Sequence, residues 1–168
     1  PSVLMDGITI VVSPLISLMK DQVDSLNQMG IPAVFLNSSQ TTYEQNKVLD
    51  LIYSNKIKLL YVAPERLLLD SFLQILQNVK INFITIDEAH CISQWGPDFR
   101  EDYQKLQILR QLRPDVPILG LTATATPEVL NDIIKQLGLK NPDRHVYGFY
   151  RPNLFYQTEV CENTEEKI

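Results

Sequence analysis

Cysteine is scarce in this 168-residue chain: Cys91 and Cys161 lie far apart and lack the paired spacing of a metal site. Their scarcity excludes a disulfide scaffold or a zinc ribbon and reads as two reduced thiols in an intracellular protein. No apolar run approaches the roughly 20 residues that a membrane-spanning helix needs. The opening Pro1-Ser2-Val3-Leu4-Met5-Asp6 has neither the basic region nor the long apolar core of a secretory signal. Asn37-Ser38-Ser39 fits a glycosylation pattern, but with no such signal it reads as a turn. Internal repeats and low-complexity tracts are missing, which excludes a solenoid or a disordered linker. Positive charge is in deficit: 15 Lys and Arg against 20 Asp and Glu give a net charge of -5. That counts against a domain that coats nucleic acid electrostatically, though not against one that grips a few phosphates locally. Finally, the phosphate-cradling pattern Gly-x-x-x-x-Gly-Lys-Ser/Thr occurs nowhere in these residues.

What is present is a regular alternation. Ile8-Thr9-Ile10-Val11-Val12 is short, β-branched and apolar on both faces, the pattern of a strand inside a parallel sheet. Ser13-Pro14 reads as the start of a helix, with Ser as cap and Pro at the first position. Leu15, Leu18, Met19, Val23 and Leu26 share one face of that helix, and Gly30 closes it. Further strands are predicted over 33–36, 58–62, 81–86 and 116–121, and further helices over 41–53, 102–113 and 126–137. Two short helical stretches follow Pro64. Strands alternating with helices define an α/β domain with a mainly parallel sheet. Chemistry in such sheets gathers at the carboxyl ends of the strands. Three of those loops carry unusual residues: Ser13-Pro14, Asp87 to Arg100, and Thr122 to Thr126.

The second loop is the most informative. The run Ile81-Asn82-Phe83-Ile84-Thr85-Ile86 stops at Asp87-Glu88-Ala89-His90. Adjacent acids at a strand end are what phosphoryl-transfer ATPases use: one carboxylate holds Mg²⁺, the next orients the attacking water. Asp87 is therefore the candidate Mg²⁺ residue, acting through a water, and Glu88 the candidate for orienting and deprotonating water. Trp95, Phe99 and Arg100 follow in a Gly/Pro-broken loop, and stacking side chains beside an ATPase centre point to a motor that feels nucleic acid. Taken singly, each feature has a plainer reading. The acids fit a solvated turn, the aromatics a loop pinned to the core, and Thr126 a helix cap.

The longer strings separate these readings. Asp87-Glu88-Ala89-His90-Cys91-Ile92-Ser93-Gln94-Trp95-Gly96, with Asp98-Phe99-Arg100, closely resembles motif II and the adjoining aromatic-rich loop of the RecQ family of DNA helicases. Ser13-Pro14-Leu15-Ile16-Ser17-Leu18-Met19-Lys20-Asp21-Gln22 resembles motif Ia of that family. Tyr61-Val62-Ala63-Pro64-Glu65-Arg66-Leu67-Leu68 resembles motif Ib, and Thr122-Ala123-Thr124-Ala125-Thr126 motif III. Phe149-Tyr150-Arg151-Pro152-Asn153-Leu154 resembles the family's entry into its second motor domain. The chain departs from the usual pattern at Pro97, where His is typical, and at Glu101, where Pro is typical. The first departure removes a polar contact and stiffens the loop.

The resemblance implies a RecA-like, P-loop NTPase type α/β domain of three layers with a mainly parallel sheet, truncated before its phosphate-loop strand. The first motor domain would fill 1–148, and 149–168 would lead into the second. It implies ATP and Mg²⁺ as cofactors. It also implies single-stranded and partially duplex DNA and the second RecA-like domain of the same parent chain as partners, and no membrane. Asp87 and Glu88 would be catalytic. His90, Thr122, Thr124 and Arg151 would belong to ATP binding and coupling, and Ser13, Lys20, Trp95, Phe99 and Arg100 to DNA. The parent would be an ATP-dependent 3′-to-5′ DNA helicase of recombination and repair, in the cytoplasm or nucleoid of a bacterium or the nucleus of a eukaryote. The phosphate loop would lie just upstream of Pro1. The chain alone is therefore expected to hydrolyse ATP negligibly and, with an apolar sheet edge exposed, to associate. Two rivals remain: a non-catalytic nucleic-acid-binding module of the same fold, and an RNA helicase.

Overall fold

A computed structural model describes residues 1–148, 152–155 and 157. Five parallel strands form one sheet: β1 (Ile8–Val12), β2 (Ala33–Leu36), β3 (Leu59–Val62), β4 (Ile81–Ile86) and β5 (Ile118–Gly120), in the order β2-β3-β1-β4-β5. The helices are α1 (Ile16–Gln28), α2 (Thr42–Tyr53), α3 (Pro64–Leu67), α4 (Asp70–Asn78), α5 (Glu101–Gln104), α6 (Gln107–Leu112) and α7 (Pro127–Gln136). The α/β class and parallel sheet expected from the sequence are observed.

The central strands are buried on both sides, which is why β1 reads as an unbroken apolar run. One sheet face carries Ile10, Val12, Leu60, Val62, Ile84 and Ile86, packed against Val48, Phe72, Leu76, Val129 and Ile133 from the helices. On the other face, Val11, Ala33 and Tyr61 pack against Met19 and Val23 of α1. Towards β5 this second face stays open. Leu119 is 40% and Leu121 46% exposed there.

Local chemistry explains most boundaries. Thr41 caps α2 with a full capping box to Glu44, and Thr126 caps α7 with Pro127 at its first position. Gly30 and Gly138 sit at φ +76° and +61° after their helices, where glycine carries no Cβ penalty. Asn37 accepts from the Ser39 N–H and hydroxyl, so the glycosylation-like string is a turn.

Three boundaries differ from the sequence reading: β5 spans only Ile118–Gly120 of the predicted 116–121, and two helices start or run differently. Ser13 does not cap α1, which starts at Ile16. The Ser13 N–H instead continues the sheet to the Val62 carbonyl at 3.2 Å. The predicted helix over 102–113 is split into α5 and α6, because the chain tightens into three-residue turns at Tyr103–Leu106 and Lys105–Ile108.

One irregularity sets the register of the whole site. Ile8 pairs with Ile81, but Thr9 pairs with Phe83, so Asn82 is an extra residue in β4. Its side chain pins the bulge: Oδ1 accepts from the Thr9 hydroxyl at 2.7 Å, and Nδ2 donates to the Gly7 carbonyl at 3.1 Å. Gly7 has φ +107°, and a Cβ there would meet the Lys80 carbonyl oxygen at 2.7 Å. Asn82→Leu would leave the Thr9 hydroxyl and the Gly7 carbonyl unpaired in the interior. It should cost about 2–3 kcal/mol in urea denaturation, and adding Thr9→Val should recover part of the loss. A loss below about 0.5 kcal/mol would contradict the pin.

Candidate functional site

The site is built where β1, β4 and β5 end. The Asp87 N–H donates to the Val12 carbonyl at 2.8 Å, which extends the β1–β4 ladder by one residue and sets Asp87 beside Ser13. The Ser13 hydroxyl points at Asp87 Oδ2 across 3.5 Å. Asp87 Oδ1 accepts the N–H of Glu88 at 3.0 Å. The acid also borders an open-faced pocket of about 240 Å³ formed with Thr9, Val11, Tyr61, Thr85 and Leu121. Burial, with the Asp87 charge added, raises the Tyr61 phenol above its ordinary range, so it stays a neutral donor there.

Glu88 follows in the left-handed region, at φ 47° and ψ 45°. Residues with a Cβ rarely adopt this conformation, and it re-aims the side chain away from the line of the strand. Ala89–Ile92 then forms one tight 3-10 turn that the sequence reading did not anticipate. The Ala89 N–H donates to the Leu121 carbonyl at 2.8 Å, which joins the acid turn to the end of β5.

His90 is buried and bridges two expected site segments. Its Nδ1 lies 3.2 Å from Glu88 Oε2 and 2.8 Å from Thr122 Oγ1. A carboxylate oxygen can only accept, so the facing Nδ1 carries the proton and donates. The Thr122 hydroxyl donates in turn to the Thr124 carbonyl and accepts its N–H, each at 3.2 Å. A continuous path thus runs from Glu88 through His90 and Thr122 to the backbone of Thr124; the Thr124 side chain is exposed.

The loop beyond is tied down at its ends and open in its middle. Gly96 lies so close to the His90 carbonyl that a Cβ would collide with it. Trp95 is 80% exposed, so its ring is not spent pinning the loop to the core; Phe99 is 36% exposed. Trp95 instead borders a pocket of about 550 Å³ with Thr126, Glu128, Asn131, Asp132 and Lys135. Arg100 donates twice to Asp98, at 3.2 and 2.9 Å, and once to the Pro14 carbonyl at 3.1 Å. That bond joins the loop to the start of α1. The Arg100 guanidinium holds the Asp98 carboxyl below its usual range. Glu101 and Asp102 open α5, where acids favour the helix dipole, so the Glu101 departure still fits a helix start.

Ser13, expected at the DNA backbone, is fully buried against Asp87. Lys20 is exposed on α1. Arg151 lies outside the described residues. Two residues that the sequence reading missed as site components are Tyr103, whose hydroxyl donates to the Asp87 carbonyl at 3.1 Å, and Asn82. A lone Tyr in a helical stretch and a lone Asn in an apolar strand carry no motif; only the asparagine's polarity inside a buried run could have flagged it.

The donor set bears on a metal. Among the described residues no three His, Cys, Asp or Glu side chains converge as a metal cage. A single carboxylate with one oxygen free of the backbone suits Mg²⁺, which keeps several waters and takes few protein ligands.

The acid turn, the His–Thr path and the exposed aromatic loop gather at the carboxyl ends of the strands of a parallel α/β domain, the place where such folds carry their sites. A family model described as DEAD/DEAH box helicase matches residues 3–133, and the chain belongs to that family. The chain is 52% identical, over all its 168 residues, to the ATP-dependent DNA helicase RecQ of Haemophilus influenzae, and covers 27% of that protein. It is 47% identical to the ATP-dependent DNA helicase RecQ of Bacillus subtilis, again over its full length and 29% of the relative. The chain thus spans little more than a quarter of the length of either relative. The fold agrees with that of the Pyrococcus furiosus Hef helicase domain, at TM-score 0.61 and 19% identity over 83% of this chain and 29% of that one. It also agrees with Mycobacterium smegmatis helicase Lhr, solved with single-stranded DNA and AMP-PNP, at TM-score 0.54 and 20% identity over 79% of this chain and 18% of that one. The RecQ resemblance and the RecA-like fold expected from the sequence are both borne out.

Cys91 is buried next to this site and free. Burial, and then the negative Asp98, push its thiol up to about 11. At pH 9 only about one hundredth would be thiolate, so Cys91 is not a nucleophile. Iodoacetamide followed by peptide mapping should show Cys91 alkylated at least about tenfold more slowly than a free thiol. Labelling in the folded protein at the free-thiol rate would contradict this placement.

Proposed function

We propose that the chain is the core of the first motor domain of an ATP-dependent DNA helicase of RecQ type, with 1–148 forming that domain and 149–168 leading toward a second RecA-like domain. The observation that carries the reading is the junction of Asp87, Glu88, His90 and Thr122 at one sheet edge, backed by the likeness to RecQ helicases along the whole chain.

In this reading Asp87 would hold Mg²⁺ through water. When bound, Mg²⁺ neutralises charge that develops on the transferring phosphate. Glu88 orients and deprotonates the attacking water. His90 keeps the Glu88 carboxylate turned toward Thr122, and Thr122 and Thr124 carry its position to the end of β5. Ser13 links the acid to the start of α1, where Arg100 is also anchored. Trp95 and Phe99, exposed at the same edge, offer stacking surfaces for single-stranded DNA, worth about 1–3 kcal/mol per base without reading sequence. Lys20, exposed on α1, supplies local positive charge in a chain that is acidic overall, and Arg100, ion-paired with Asp98, holds the loop that presents the rings to DNA. Arg151 completes the coupling set from the second-domain side. The parent would translocate 3′-to-5′ on single-stranded DNA, unwind partial duplexes and serve recombination and repair inside the cell.

The test is ATP hydrolysis by the full-length protein with and without single-stranded DNA. Wild type should be stimulated by DNA, and Glu88→Gln should lose about 10²–10⁴-fold in turnover while still binding nucleotide. Stimulated hydrolysis within a few-fold of wild type would remove Glu88 from this role. No stimulated hydrolysis in wild type would favour a non-catalytic binding module.

A further inference from the structure

The peptide between Asp87 and Glu88 is held at both ends. Its N–H is accepted by the Asp87 carboxylate at 3.0 Å, and its carbonyl accepts the Tyr103 hydroxyl at 3.1 Å. No neighbouring strand supplies that second contact: the Ser13 N–H is spent on Val62 and the Leu121 N–H on Ile86. A side chain from α5 therefore takes over where the sheet ladder runs out.

This matters because the plane of that peptide sets φ of Glu88, which is 47°. Rotating the plane would carry Glu88 out of the left-handed region that residues with a Cβ avoid, and back toward ordinary extended backbone. A conformation of this kind persists only where its surroundings over-determine it. Tyr103 suits the task. It is fully buried in the main core, so its ring cannot swing away. Burial also raises its phenol far above the ordinary range, so the hydroxyl remains a donor at any physiological pH. The helix that carries it begins where the aromatic loop ends. The Tyr103 N–H donates to the Arg100 carbonyl, and the Arg100 N–H to the Cys91 carbonyl, both at 3.0 Å.

We propose that Tyr103 is a positioning residue for Glu88: its hydroxyl locks the Asp87–Glu88 peptide plane and thereby holds the Glu88 carboxylate in the place from which it acts on water. The inference rests on the assignment of Glu88 above. It also gives Asp87 a second duty, since the same carboxylate closes the lock from the N–H side.

Tyr103→Phe in the full-length protein removes one oxygen and keeps the ring. Single-stranded-DNA-stimulated kcat should fall by about tenfold or more, because small misplacement of a reacting group is costly. KM for ATP and Kd for single-stranded DNA should stay within about twofold, since neither depends on the Glu88 backbone. A core control, Leu109→Val, buried in the same cluster but away from the acids, should keep kcat even where its Tm falls as far. A Tyr103→Phe enzyme with kcat within about twofold of wild type would overturn the inference. So would a matching kcat loss in the Leu109→Val control, which would mark the effect as general loosening. Glu88→Gln run alongside separates the two claims. If it is inactive while Tyr103→Phe is not, only the positioning role fails. If it is active, the assignment of Glu88 fails first.

Discussion

The pairing of β1 with β4 is the constraint on which the rest of this structure depends. Both strands are apolar and parallel, and sheets of this kind fix register by burying side chains on alternate faces. Here register is set by one extra residue. With Asn82 inserted, Val12 pairs with Ile86, and Ser13 meets Asp87. Were Asn82 paired in line instead of bulged, Val12 would face Thr85 and Ser13 would face Ile86. Every side chain of β4 beyond the bulge would then change faces, and Asp87 would lie one residue beyond the Val12 carbonyl that now holds it. A buried amide that satisfies a hydroxyl and a carbonyl at once makes the insertion stable.

From that junction the site spreads by short polar steps rather than by one large pocket. Glu88 reaches Thr122 through His90, and the backbone of Ala89 reaches Leu121. Arg100 ties the aromatic loop to Pro14, and Tyr103 ties the following helix to Asp87. The acid pair is thus connected to all three loops at the strand ends. Hydrogen bonds and packed backbone make one contiguous network of the three loops. The exposed Trp95 and Phe99 rings sit at the outer end of this arrangement.

Much of this was legible in the sequence, for identifiable reasons. Buried parallel strands leave continuous apolar runs, so β1 and β4 announce themselves. Thr41 and Thr126 name their helix starts because capping is local chemistry. Asp87 and Glu88 were visible because the long string they open, rather than the acid pair alone, resembles a family motif. Ser13 was misread because Ser-Pro is an excellent helix opening in isolation. Tertiary context drew its N–H into the sheet and its hydroxyl to Asp87, 74 residues away in sequence. The break between α5 and α6, the left-handed Glu88 and the Tyr103 contact were not legible. Each depends on where a distant element ends, which local periodicity does not encode. The Trp95 loop lay between these cases: its residues were evident, but only the fold shows that the indole is left uncovered.

The central claim is that one sheet edge holds a metal-binding acid and a water-orienting acid side by side. A crystal structure of the full-length protein with Mg²⁺, ADP and aluminium fluoride tests it most directly. The account predicts that the Asp87 carboxylate takes a water of the Mg²⁺ shell, with the Glu88 carboxylate hydrogen-bonded to the water in line with the aluminium. Nucleotide and metal bound away from this edge, or an in-line water contacted by some other side chain, would contradict it.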